Sequence, residues 1–76
     1  MPRDHRYDLF EQALIETRLE SNLTQEEVAL RLNKPQSFVS KYESGERRLD
    51  IIELIDVCKA LGKNLHDVLD RFYKKN

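Results

Sequence analysis

The chain has 76 residues, 39% hydrophobic and 36% charged, with a formal net charge of −1. That length holds one domain burying about 60% of its unfolded surface, leaves no room for the lobes and clefts of most enzymes, and has the composition of a globular rather than a disordered chain. The single Cys58 cannot form an internal disulfide, no apolar run approaches the roughly 18 residues of a membrane span, and no signal-peptide core opens the chain, so the expected location is cytoplasmic.

The polar opening, residues 1–7, is read as an N-terminal arm and a candidate for disorder, and the domain proper as 8–76. A first helix is expected from about Asp8 to Ser21, with Phe10, Leu14 and Arg18 on one stripe. Thr24-Gln25-Glu26-Glu27 spells a capping box: the Thr24 hydroxyl accepts from the Glu27 amide while the Glu27 carboxylate accepts from the Thr24 amide. Leu23 and Val28 flank it as a hydrophobic staple. A second helix therefore runs from Gln25 to Leu32, burying Val28, Ala29 and Leu32. Pro35 marks the start of a third, from Gln36 to Ser44, with Val39 and part of Tyr42 inward, and Gly45 ends it in the left-handed conformation. The capping device recurs at Asp50 and Glu53, with Leu49 and Leu54 as staple, and opens a fourth helix, Ile51 to Leu61, stopped by Gly62. Asn64 with Asp67 is a weaker start for a fifth, Leu65 to about Tyr73. No stretch alternates long enough to be a strand. The fold expected is all-α, five helices, in one domain.

Charge is unevenly spread along this framework. Lys34 to Arg48 carries a net +2, whereas Asp8 to Glu27 carries −5. Distribution matters more than the sum where nucleic acid is the partner, and the sequence predicts one basic edge on an acidic body.

Within that basic stretch, a short helix ends at Leu32, three residues turn, and a second short helix begins at Gln36: helix-turn-helix spacing. The second helix places Gln36, Ser37, Ser40 and Lys41 outward, at its start and along one side. Short polar side chains at the first turn of such a helix can hydrogen-bond base edges in the major groove.

At these residues the sequence resembles the Cro/CI-type phage-repressor family, also called XRE-like. The match is carried by Leu23-Thr24-Gln25-Glu26-Glu27-Val28-Ala29, by Gln36-Ser37-Phe38-Val39-Ser40-Lys41-Tyr42-Glu43-Ser44-Gly45 and by Leu61-Gly62, and covers roughly Leu14 to Leu69. The resemblance implies a lambda-repressor-like five-helix domain in which helices two and three form the motif, usually dimeric on DNA. It implies that Gln25 contacts a phosphate and braces Gln36, that Gln36 makes paired hydrogen bonds to adenine, and that Ser37 and Lys41 occupy the other base-reading positions. The carboxamide of Gln36 suits adenine because it offers donor and acceptor side by side, and Lys41 suits guanine or a phosphate. Ser40 and Phe38, the latter at the helix edge, complete the candidate surface. The loop after the third helix is implied to follow the phosphate backbone, a role that the guanidinium forks of Arg47 and Arg48 fit. Glu43 looks like a cytosine reader, but the resemblance pairs it with Arg18; both lie on inward stripes, so a buried structural ion pair is expected.

The functional expectation is a sequence-specific transcriptional regulator, most simply a repressor, of a phage, a restriction system or a toxin–antitoxin operon. Its partner is a double-stranded operator, and a regulatory partner protein is a further candidate because no effector domain is evident. The rival is a protein-interaction adaptor or antitoxin that keeps the fold without reading DNA, favoured by the overall acidity. A homodimer is expected through Ile52, which departs from the inward stripe set on helix four by Ile51, Leu54, Cys58 and Leu61, and through Phe72 and Tyr73, which extend past the core-covering Leu65, Val68 and Leu69 of helix five. Catalysis has no visible basis. Cys58 sits on an apolar stripe, His5 and His66 lack metal-ligand spacing with it, no glycine-rich phosphate loop exists, and neither metal nor cofactor is expected.

Overall fold

The computed structural model describes residues 4–75, which form five helices: α1 (His5–Glu20), α2 (Gln25–Leu32), α3 (Gln36–Ser44), α4 (Ile51–Ala60) and α5 (Leu65–Lys75). Local chemistry sets their ends. Thr24 accepts from the Glu27 amide at 3.0 Å while Glu27 accepts from the Thr24 amide at 2.9 Å. The reciprocal pair at Asp50 and Glu53 closes at 2.7 and 3.0 Å. Asn64 and Asp67, the weaker signal in the sequence, do the same, both at 3.0 Å. Each box satisfies amides that the first turn of a helix leaves without intrahelical partners.

Helix ends are closed by wrap-back hydrogen bonds: Leu23 N–H to Arg18 O, Lys34 N–H to Ala29 O and Lys63 N–H to Cys58 O, at 3.3, 3.0 and 2.9 Å. The residue that makes the reversal is left-handed in each case, Asn22 (φ 58°), Asn33 (φ 56°) and Gly62 (φ 72°). Asparagine tolerates that region better than other side-chain-bearing residues.

α1 begins at His5, three residues before the sequence reading placed it. Asp4 caps it, accepting from the Arg6 amide at 2.9 Å and from the Arg6 guanidinium at 2.5–3.1 Å. Residues 4–7 are therefore a cap and a first turn rather than an arm; residues 1–3 of the expected arm lie outside the described residues.

The core gathers Ala13 and Leu14 of α1, Val28 and Ala29 of α2, Val39 and Tyr42 of α3, Leu54, Val57 and Cys58 of α4, and Val68 of α5, all buried. α1 lies against α5 and α3, and α2 against α3 and α4. Arg71 and Lys75 hold α5 to α1 through Glu16, at 3.3 and 2.7 Å, with a second Arg71 bond to Glu20. Arg31 donates to the Ala60 carbonyl at 2.8 Å, tying α2 to the end of α4.

Two expectations about apolar faces are corrected. Ile51 does not share the inward stripe: at the first position of α4 it projects past the core and is 57% exposed, beside Ile52 at 64%. Phe72 is not part of an open patch. It folds back onto the core, edge to face with Phe10 at a centroid distance of 5.6 Å, because α5 packs along α1 and turns that side chain inward. Tyr73 alone of the α5 pair remains exposed.

Candidate nucleic-acid interface

The turn between α2 and α3 is Asn33, Lys34 and Pro35, and it presents α3 with Gln36, Ser37, Ser40 and Lys41 all exposed. Val39 and Tyr42 anchor the opposite side in the core. One helix of nine residues thus has an apolar side that fixes its height on the body and a polar side open at its first two turns.

A chain of side-chain bonds runs from α1 to the head of α3. The Arg18 guanidinium grips the Glu43 carboxylate twice, Nε to Oε2 at 2.7 Å and Nη2 to Oε1 at 3.2 Å, and its third nitrogen donates to the Leu23 carbonyl at 2.9 Å. Glu43 Oε1 also accepts from Gln25 Nε2 at 2.9 Å. Gln36 Nε2 in turn donates to Gln25 Oε1 at 3.4 Å, the loosest link. The Arg18 and Glu43 side chains are only 12% and 5% exposed, so each charge depends on the other for compensation. This engages both the nitrogen and the oxygen of the Gln25 carboxamide and places Gln36 at the outer end, with part of its carboxamide still free.

Phe38 is half-buried rather than free at the helix edge. Its ring meets Tyr42 edge to face at 5.8 Å, with the Arg47 guanidinium at 4.8 Å and the Lys34 ammonium at 5.6 Å from its centroid. The ring is taken up by packing inside the protein, and it gathers two cations beside the turn.

The loop after α3 turns at Gly45 (φ 88°) and carries Arg47 and Arg48. Arg47 is engaged within the molecule: it forms a two-pronged pair with Glu53, at 3.0 and 2.7 Å. That contact, followed by the Asp50 amide, holds the Glu53 carboxyl down at about 2, and Glu53 raises Arg47 in return. Glu53 therefore has two tasks, capping α4 and holding the loop to it. Only the first is legible in the sequence, since the second needs an arginine six residues upstream folded back in space. Arg48 lies 4.0 Å over the ring of Tyr7.

These pairings resolve the apparent conflict of charge. Two of the acids near the α3 edge, Glu43 and Glu53, are neutralised by Arg18 and Arg47, while Lys34, Lys41 and Arg48 are exposed. Among the described residues no cluster of His, Cys, Asp or Glu could hold a metal, and no helix is long and apolar enough to cross a membrane. Cys58 is buried, and burial pushes its thiol above the ordinary range, away from the thiolate that nucleophilic chemistry requires. The dimer candidates Ile52 and Tyr73 are exposed, on α4 and α5 respectively.

Residues 14–68 match a family model for the helix-turn-helix. The chain is similar to the solved structure of an XRE-family like protein from Pseudomonas syringae pv. tomato, with 42% identity over 93% of this chain and 87% of that one and a TM-score of 0.83. It is similar to the clp gene regulator ClgR from Corynebacterium glutamicum at 26% identity, covering 96% of this chain and 94% of that one with a TM-score of 0.84. A mutant of the restriction-modification controller protein C.Esp1396I shares the fold, with 24% identity, coverage of 97% and 94%, and a TM-score of 0.88. No curated protein matches the chain. A family match spanning most of the chain, a well-covered relative above 40% identity, and a turn that presents α3 on its polar side lead to one conclusion: the chain belongs to the XRE-like helix-turn-helix family of DNA-binding transcription regulators.

Proposed function

We propose that this protein is a sequence-specific repressor that lays α3 in the major groove of a double-stranded operator. The observation that carries the reading is the braced glutamine at the head of α3: Gln36 held by Gln25, Gln25 by Glu43, and Glu43 by Arg18. A carboxamide fixed in this way is pre-organised to make paired hydrogen bonds to adenine N6 and N7. Ser37 and Lys41 flank it as further readers, with Ser40 as a minor contributor. Gln25, whose carbonyl oxygen already accepts from Gln36, adds a phosphate contact through its remaining amide hydrogen. Arg48 and Lys34 supply cations for the sugar–phosphate backbone, and Arg47 joins them when a phosphate competes with Glu53.

A single such domain touches few base pairs, so the active species in this reading is a homodimer with half-sites about 34 Å apart. Ile51, Ile52 and Tyr73 replace the surface inferred from the sequence, Phe72 having turned inward. Regulation by concentration or by a partner protein completes this reading.

The test is selection from a randomised duplex pool, followed by titration of the enriched site and a scrambled one at two salt concentrations. Enrichment of a two-fold-related site, with a steep salt dependence on both duplexes, supports operator reading. Binding that fails to discriminate the two duplexes favours the adaptor or antitoxin reading instead.

A further inference from the structure

A cleft of about 470 Å³ opens between the first turns of α1, the loop after α3 and the end of α5. Its volume falls in the range of small-molecule sites. Phe10, Leu14, Leu54 and Phe72 make its walls apolar. Tyr42 lines it as well. That residue is 2% exposed, and its hydroxyl, which can both donate and accept, has no hydrogen-bond partner among the described residues and is not closed off from solvent. A hydroxyl that reaches the surface of an otherwise apolar cleft can take a hydrogen bond from, or give one to, a ligand's polar group.

The charges at the mouth indicate the sign of that group. Arg6 is bound to Asp4, and Arg47 to Glu53. Glu11 also stands there and is itself engaged. Arg48 differs: its guanidinium lies over the Tyr7 ring and has no carboxylate partner among the described residues. A planar cation with unused N–H donors, beside an apolar cleft holding one unpaired hydroxyl, is complementary to a small molecule with an aromatic or aliphatic body and one carboxylate.

We infer that this cleft binds a small amphipathic carboxylic acid, its body among Phe10, Leu54 and Phe72, its acid group on Arg48, with one of the acid oxygens accepting from the Tyr42 hydroxyl. The consequence for regulation rests on the phosphate role proposed above for Arg48: a carboxylate on Arg48 competes with an operator phosphate, so the acid lowers DNA affinity, and DNA lowers affinity for the acid by the same factor.

Naphthylacetate and its neutral amide, naphthylacetamide, are the probes, titrated against the full chain without DNA while backbone amide NMR shifts of Tyr42, Arg48 and Leu49 are followed. The expected result is saturable binding with the acid preferred about tenfold, the ratio of one charge-assisted hydrogen bond. Arg48→Gln, a surface change, removes the preference, and Tyr42→Phe weakens both probes alike. Shifts that stay linear to about 10 mM overturn the site, as does a preference that survives Arg48→Gln. A DNA titration in saturating naphthylacetate then reads the coupling, and unchanged DNA affinity with the cleft filled overturns it. Because the first titration contains no DNA, failure of the operator reading leaves its outcome intact.

Discussion

Glu43→Gln removes one charge from the most buried ion pair among the described residues and leaves the other in place. Arg18, 12% exposed at its side chain, keeps its bond to the Leu23 carbonyl but faces a neutral amide instead of a carboxylate. Breaking a buried pair by removing one partner destabilises by roughly 3–5 kcal/mol. The glutamine oxygen still accepts one hydrogen bond, from Arg18 or from Gln25, so about 2–3 kcal/mol is the expected loss. Against a total of roughly 4–11 kcal/mol for a domain of this length, that is a large fraction. It lowers Tm by roughly 10–20 °C. Urea unfolding of Glu43→Gln, Arg18→Met and the double variant, followed by circular dichroism, measures the coupling. The double variant buries no unpaired charge, so it loses less than the sum of the singles by about 1 kcal/mol or more. Losses that add to within about 0.5 kcal/mol refute the reasoning, because independent sites behave that way.

Asn33 holds a left-handed conformation at the turn into α3 (φ 56°), so Asn33→Ala should cost about 1 kcal/mol in thermal melts whereas Asn33→Gly stays within a few tenths; equal losses would deny that the dihedral is the cause. Glu53 titrates near 2 in the folded chain against an ordinary 4.5, so its contribution is present above 4.5 and lost as pH falls from 4.5 towards 2. Glu53→Gln should therefore flatten the acid-unfolding profile within that window, and parallel profiles for the two proteins would contradict the pairing with Arg47. Ile51→Asp with Ile52→Asp should give a folded monomer in sedimentation that binds the selected site far more weakly; a wild-type monomer at tens of micromolar with tight binding retained removes the dimer from the account.

Where the sequence was legible, the signal was short-range. Thr24 with Glu27 and Asp50 with Glu53 lie three residues apart, and such boxes work through their own turn, so the starts of α2 and α4 could be placed to the residue. Gly45 and Gly62 marked reversals for the same reason, whereas Asn33 and Asn22 make comparable reversals with a residue type that occurs in many other settings. The start of α1 was missed because Asp4 caps through Arg6 and no acid or amide stands at the third helical position to complete a box. Long-range partners were harder still. The inward faces of Arg18 and Glu43 followed from helical period, and the family pattern supplied their pairing. The Arg47–Glu53 contact and the inward turn of Phe72 depend on how a loop and a terminal helix settle on their neighbours, which periodicity alone does not encode. The same limit applies to the interface: the exposed row from Gln36 to Lys41 could be read from spacing, while the engagement of Phe38 and Arg47 within the protein could not.

The central claim is that α3 reads bases through a glutamine braced from behind. Parallel selections from one randomised duplex pool, with the wild type and with Gln36→Ala, test it most directly. The account predicts that Gln36→Ala still enriches the same half-site framework but loses its preference at one base pair per half-site, with roughly 1–3 kcal/mol less affinity for the wild-type site. Identical base preferences in the two selections would contradict it.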